Sequence, residues 1–152
     1  MQEKKVISNS PDSTMTLARK LAKSLKPGDI LCLVGNLGCG KTTFVKGLAR
    51  GLRIKPERVS SPTFVLMNIY EGKLPLYHFD LYRLEEIGEM QALGYEEFLY
   101  GDGVSVIEWA ERIQPLLQKE YLEIQFKHSG EDRRQLQFVP RGNRYIQLVK
   151  KL

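Results

Sequence analysis

The stretch "VGNLGCGKTTF", Val34 to Phe44, sets three glycines, a lysine and two threonines between an apolar run and an amphipathic one. Within it, Gly35-Asn36-Leu37-Gly38-Cys39-Gly40-Lys41-Thr42 fits G-x-x-x-x-G-K-[ST], a loop that cradles phosphates when it follows a strand and opens a helix. Both contexts are present. "DILCLVG" is short and almost wholly apolar, as a central parallel strand is. "TTFVKGLARGL" carries Phe44, Val45, Leu48 and Leu52 at helical spacing. Glycines let the backbone turn tightly and bring its N–H groups against phosphate oxygens with no Cβ in the way. The helix N-terminus aims partial positive charge at the same place. Lys41 adds a mobile full charge for the β- and γ-phosphates, and the Thr42 hydroxyl suits Mg²⁺. The bare pattern arises by chance in roughly one chain of this length in two hundred, so the stretch predicts a nucleoside triphosphate site.

Working outward, "KKVIS" reads as a first strand and "SPDSTMTLARKLAKSLKPGD" as a helix. Ser13 or Thr14 is placed to cap that helix, Leu17, Leu21 and Leu25 share a face, and Pro27-Gly28 stops it. "TFVLMNIYEGKLPLYHFDLYRL" predicts two strands joined through Glu71-Gly72-Lys73. Glu85 to Leu93 reads as a helix closed by Gly94, Tyr95 to Tyr100 as a second short one, and "GVSVIEW" as another buried strand. A helical stretch near Glu111 to Leu117, strands in "EYLEIQFKH" and "RRQLQFVP", and a last helix with Tyr145, Leu148, Val149 and Leu152 on one side complete the chain. Strand–helix alternation followed by a strand pair predicts an α/β chain. With the phosphate loop it becomes a P-loop NTPase-like three-layer fold: a mainly parallel central sheet with some antiparallel strands, one domain over residues 1–152.

At 152 residues, with 42% hydrophobic and 27% charged side chains, the composition is that of a folded soluble chain. No apolar stretch reaches the length of a membrane span and "MQEKKVISNS" lacks a signal-peptide apolar region, so a cytoplasmic location without membrane attachment is expected. Cys32 and Cys39 match neither a zinc spacing nor C-x-x-C, which agrees with a reducing compartment. A net charge of +5 is compatible either with an anionic partner such as RNA or with an ordinary basic surface.

A phosphate loop needs an acid at the end of a neighbouring strand to organise metal and water. Asp80 ends "LPLYHFD" and Glu108 ends "VSVIE". The second strand is the more apolar, so Glu108 is the better metal ligand and Asp80 the residue that orients or deprotonates water, with the reverse assignment open. Thr63 in "SSPTF" reads from spacing as a strand threonine after a rigid turn, or else as a switch-like hydroxyl for Mg²⁺ or the γ-phosphate. His78 has no partner at metal-ligand spacing and reads as structural or substrate-facing. Trp109 and the tyrosines read mainly as core or core-edge residues, with stacking on RNA bases the other reading. The guanine-reading N-K-x-D motif does not occur, which favours ATP. Cys39, beside Lys41 and a helix N-terminus, is expected to be the more thiolate-like and reactive cysteine, shielded by Mg-ATP, with Cys32 nearly inert.

With "GNLGCGKTTF", "SSPTFVLMNIYEG", "LPLYHFDLYRL", "GYEEFL" and "VSVIEWAER" in that order, the chain resembles the bacterial TsaE (YjeE) family from about Thr14 to Arg112. The resemblance implies a small P-loop ATPase that works with TsaB and TsaD. That assembly installs threonylcarbamoyl on the adenosine next to the anticodon, adenosine 37, of tRNAs reading codons that begin with A. In the family, TsaE does not transfer the group; its ATP hydrolysis resets the TsaB–TsaD complex. By position, Lys41 and Thr42 match phosphate and Mg²⁺ contacts with Thr43 beside them, and Asp80 and Glu108 match the functional acids. Thr63 matches the switch-like threonine, while Ser13 and Thr14 match a segment close to the adenine. Two positions depart from the usual "GDLGAGKT": Asn36 replaces an acid and Cys39 an alanine. Neither substitution removes a phosphate-binding group.

The expectation is therefore a partner-stimulated ATPase, monomeric when isolated, that meets tRNA at least through its complex. Two rivals belong to other classes. A small-molecule or nucleotide kinase usually has an arginine-bearing lid over the transferred phosphate, whereas Arg133, Arg134 and Arg141 fall in a strand-rich tail. The other rival is a nucleotide-gated binding module whose hydrolysis hardly matters.

Overall fold

The computed structural model describes residues 2–36, 38–62, 65–117 and 120–152. Leu37 and Thr63, both singled out above, lie outside the described residues. The strands are β1 (Lys4–Ser8), β2 (Ile30–Val34), β3 (Met67–Tyr70), β4 (Leu76–Asp80), β5 (Val104–Glu108), β6 (Tyr121–His128) and β7 (Arg134–Arg141). The helices are α1 (Pro11–Ala22), α2 (Lys41–Gly51), α3 (Gly88–Leu93), α4 (Tyr95–Leu99) and α5 (Asn143–Lys150), with 3₁₀ turns at Pro56–Arg58 and Ala110–Leu116.

The seven strands form one sheet in the order β1-β7-β6-β2-β5-β4-β3. Its centre is parallel, with β2 pairing β5 and β6 and β4 pairing β5. Its margins are antiparallel, through β3 on β4 at one edge and β1 on β7 on β6 at the other. This is the mixed three-layer α/β fold predicted from the phosphate loop outward.

Side-chain alternation along β2 divides the core in two. Leu31 and Leu33 enter the larger cluster with Ala18, Leu21, Phe44, Leu48 and Leu148, from α1, α2 and α5. Ile30 and Cys32 enter the other, with Met90, Tyr95, Leu99 and Ile113 from α3, α4 and the second 3₁₀ turn. β2 is thus covered on both faces, which is why its sequence is a continuous apolar run and not an alternating one. Among the described residues no helix is long and apolar enough to cross a membrane.

Three boundaries differ from expectation. The cap of α1 is Ser10, whose Oγ accepts the Ser13 N–H at 3.1 Å, and not Ser13 or Thr14. Pro11 takes the first helical position, where its fixed φ and missing N–H cost nothing, so the helix begins earlier. In contrast, α3 begins at Gly88 and not Glu85, because the Glu89 carboxylate accepts the N–H groups of Glu85 and Glu86 at 2.8 and 3.0 Å and holds them in a turn. β3 is shorter than the apolar run implies, since Val65 and Leu66 both return N–H bonds to the Pro62 carbonyl and Leu66 has φ 69°.

Candidate nucleotide site

β2, β4 and β5 all end at the same edge of the sheet, and α2 starts there. A cleft opens along that edge. Gly38 and Gly40 have φ 74° and 101°, left-handed conformations that glycine adopts without strain. Gly40 then precedes Lys41, the first residue of α2, and its carbonyl accepts the Phe44 N–H at 3.0 Å. The first N–H groups of a helix have no partner within it and point outward. Gly38, Gly40, Lys41, Thr42 and Thr43 line the cleft.

The strand register supplies the acids. Asp80 stands opposite Glu108 across β4 and β5, and Glu108 stands opposite Leu33 on β2, the strand that feeds the loop. Both carboxylates line the cleft and are nearly buried, at 4% and 3% exposure. Asp80 accepts from Ser61 Oγ at 2.7 Å and from the Tyr82 N–H at 3.0 Å. Glu108 Oε2 lies 2.5 Å from His78 Nε2, and His78 Nδ1 lies 3.5 Å from the Tyr70 hydroxyl. His78 is fully buried and structural, one of the two readings left open.

At the other end of the cleft, β7 pairs with β1 so that Arg134 stands opposite Ser8. Ser8 Oγ and Thr14 Oγ1 share a hydrogen bond of 2.6 Å, and Pro11, Thr14, Asp132 and Arg134 all line the cleft. Arg134 Nη1 donates to the carbonyls of Glu131 and Arg133, while its Nε is buried without a hydrogen-bond partner among the described residues. That orphaned donor fits a polar ligand group at this end. At the acid end the donors are hydroxyl and carboxylate oxygens, which suit Mg²⁺. Among the described residues no group of three or more His, Cys, Asp or Glu could hold a metal, and Mg²⁺ sites typically use one or two carboxylates with substrate phosphates completing the shell.

Lys41 is 4% exposed. Its Nζ donates to the Gly35 carbonyl at 2.6 Å and lies 3.8 Å from the centre of the Trp109 ring. Burial pushes its pKa below the ordinary lysine value, against the opposing pull of Glu108, Glu111 and Asp80. Trp109 itself has φ 61°, an outlier for a bulky side chain. It packs on Tyr82 at 5.2 Å and lines the cleft. Ser61 and Trp109 stand in the runs "SSPTF" and "VSVIEWAER" but are not read there as site residues, Arg134 is weighed only as a lid arginine, and Asp132 carries no signal.

Not every expected residue reaches the cleft. Ser13 and Asn36 are exposed and do not line it. Cys39 is buried at 1% exposure beneath the loop, where a Cβ added to Gly35 would stand 2.7 Å from its Sγ. Burial raises the Cys39 thiol pKa despite the lowering effect of Lys41, and raises that of buried Cys32 as well. Burial therefore works against a thiolate at Cys39 while Lys41 works for one, and the thiol fills a tight space under the loop.

The fold and this cleft define a P-loop NTPase-like α/β protein with its phosphate loop facing two strand-end carboxylates. The profile of the Threonylcarbamoyl adenosine biosynthesis protein TsaE family matches residues 8–136. The tRNA threonylcarbamoyladenosine biosynthesis protein TsaE of Bacillus subtilis is 46% identical over 144 residues, spanning 94% of this chain and 89% of that protein. The protein of the same name from Aquifex aeolicus is 46% identical over 114 residues, spanning 74% and 80%. The crystal structure of Bacillus subtilis YdiB superposes with a TM-score of 0.83 at 39% identity, covering 98% of this chain and 93% of YdiB. The chain belongs to the TsaE family.

Proposed function

We propose that this chain is the ATPase of a tRNA threonylcarbamoyladenosine pathway. It binds Mg-ATP in the cleft and acts with TsaB and TsaD in forming the threonylcarbamoyl group on adenosine 37 of tRNAs that read codons beginning with A. ATP turnover resets or regulates the TsaB–TsaD pair. The protein works in the cytoplasm and is monomeric when isolated. The observation that carries this reading is the Asp80–Glu108 pair at adjoining strand ends, in one cleft with Lys41 and Thr42.

Pro11, Thr14 and Arg134 receive the nucleoside, and the loop N–H groups from Gly38 to Thr43 receive the phosphates. Lys41 Nζ leaves the Gly35 carbonyl for the β- and γ-phosphates. Thr42 and Glu108, with Thr63, hold Mg²⁺, which neutralises charge shared by those phosphates. Asp80, fixed by Ser61 and the Tyr82 N–H, orients the attacking water and takes its proton. The water oxygen bonds to the γ-phosphorus as the bond to the β–γ bridging oxygen breaks, and ADP and phosphate leave.

The test is reconstitution with TsaB, TsaD and tRNA, following phosphate release and modification together. Glu108→Gln should bind ATP but lose turnover and modification. Modification sustained by Glu108→Gln would favour the gated binding module, and a phosphorylated small molecule would favour a kinase. Lys41→Ala should abolish ATP binding; unchanged affinity would overturn the phosphate-loop assignment.

A further inference from the structure

The two helical layers carry opposite charge. Residues 13–58, which hold most of α1 and all of α2, contain ten Lys and Arg against two Asp and Glu. Residues 80–120, which hold α3 and α4, contain ten Asp and Glu against three Lys and Arg. Of the two acids in the first segment, Asp29 is buried and paired with Arg144 at 2.7 Å, so it does not offset the surface.

The cations share one face. Gly47 and Gly51 of α2 abut Met15, Ala18, Arg19 and Ala22 of α1, so the two helices lie side by side. Their buried residues turn toward the sheet. Outward stand Arg19 and Lys20 on α1 with Lys23 just past its end, Lys46 and Arg50 on α2, and Arg53 just past the end of α2. Among the described residues none of these six forms an ion pair. The acid on this outer surface of α1 is Asp12 in its first turn, and α2 has none.

We infer that the outer face of α1 and α2 is a docking surface for the phosphate backbone of tRNA. The inference rests on the tRNA-modification reading above, but not on ATP hydrolysis. A protein partner is the poorer fit. Protein interfaces have a partly apolar centre, whereas none of the described exposed large apolar residues, Ile7, Val65, Ile69, Tyr82 and Tyr100, belongs to these helices. Backbone docking needs cations and little else, and it positions an RNA without reading its sequence. Both helices also start at the nucleotide cleft, through Pro11 and Thr14 on one and Lys41 on the other. RNA on this face therefore lies against the elements that hold the nucleotide.

The experiment measures binding of a tRNA transcript to the full chain with Mg-ATP present, across a range of salt. Each neutralised phosphate contributes a log–log slope of about −0.7 to −0.9, so full use of the six cations gives a slope of about −4 to −5. Lys46→Gln, Arg50→Gln and Arg53→Gln combined should flatten the slope by about 2 and weaken binding by about a hundredfold near 0.1 M salt. The same loss of charge from Lys5, Lys127 and Arg133 should change affinity by less than about twofold, because those residues lie on β1, on β6 and in the turn before β7 and not on α1 or α2. Equal weakening by both triple variants, salt-insensitive binding, or no binding by the wild type would each overturn the inference. Displacement of tRNA by polyglutamate at matched charge and equal affinity would reassign the face to an acidic protein. ATP affinity of the variants reports folding; should the α2 set lose it, Arg19→Gln, Lys20→Gln and Lys23→Gln, on α1 and at its C-terminal end, replace that set. A protein that binds tRNA through this face but does not hydrolyse ATP would sustain this inference and sink the ATPase reading; the reverse result would do the opposite.

Discussion

Glu108 can be found in the sequence as the acid ending an apolar strand, but what holds it cannot. His78 is thirty residues away, and only the register of β4 on β5 brings its Nε2 to 2.5 Å from the carboxylate. The chain continues through Tyr70 to Ser60, since the Tyr70 hydroxyl donates to the Ser60 carbonyl at 3.2 Å. Side chains that hydrogen-bond a metal-binding carboxylate fix its orientation, and losing them typically costs 10–100-fold in metal affinity or activity. His78→Phe should therefore reduce turnover by about 10–100-fold and raise the Mg²⁺ concentration needed, while nucleotide affinity without Mg²⁺ changes little. His78→Gln, which keeps a donor near the Nε2 position, should restore part of both. Equal loss in the two variants, with Mg²⁺ dependence unmoved, would reduce His78 to a packing residue. The residues that sequence reasoning missed share one feature: they act through tertiary neighbours, as Trp109 does beneath Lys41, and no local pattern encodes that.

At the scale of elements, pattern reading did well where burial decides and less well where side chains compete for backbone groups. β2, β5 and α2 were legible because two-sided burial and helical periodicity leave clear apolar spacing. The starts of α1 and α3 were not, because Ser10 and Glu89 each redirect backbone N–H groups by short-range bonds. The pairing of α1 with α2 was likewise hidden in "KGLARGL", which reads as a helix weakened by two glycines. A Cβ at Gly47 would meet the Met15 carbonyl oxygen at 2.5 Å and the Ala18 Cβ at 2.7 Å. Gly→Ala inside a helix ordinarily stabilises by up to about 1 kcal/mol, whereas forcing atoms into a packed contact costs about 1–3 kcal/mol. Here the clash involves backbone and should win. Gly47→Ala is expected to lower the urea midpoint, and it should also weaken ATP binding because Gly47 lies on the helix that Lys41 begins. A midpoint equal to or above the wild type would show that α1 can move away freely.

Over the whole molecule, the sheet order fixes what lies at each end of the cleft. β1 and β7 bring Thr14 and Arg134 to one end through their pairing, while β5 and β4 bring Glu108 and Asp80 to the other. Among the described residues that line the cleft, the cations are Lys41 and Arg134, and Arg134 stands at the end away from the acids. The γ-phosphate would therefore meet Lys41 and the metal, but no arginine of the described cleft lining. In P-loop NTPases an arginine finger supplied in trans accelerates hydrolysis by about 10³–10⁵. Isolated protein should accordingly turn over ATP slowly, and adding TsaB and TsaD should raise kcat by at least about tenfold with a smaller change in KM, because a group supplied by a partner acts mainly as charge develops in the transition state. The measurement is steady-state phosphate release at saturating Mg-ATP, titrated with the TsaB–TsaD pair. Glu108→Gln should show no acceleration at any partner concentration, which separates completion of this site from a contaminating ATPase. A fast rate that ignores both partners would mean that the chain completes its own site.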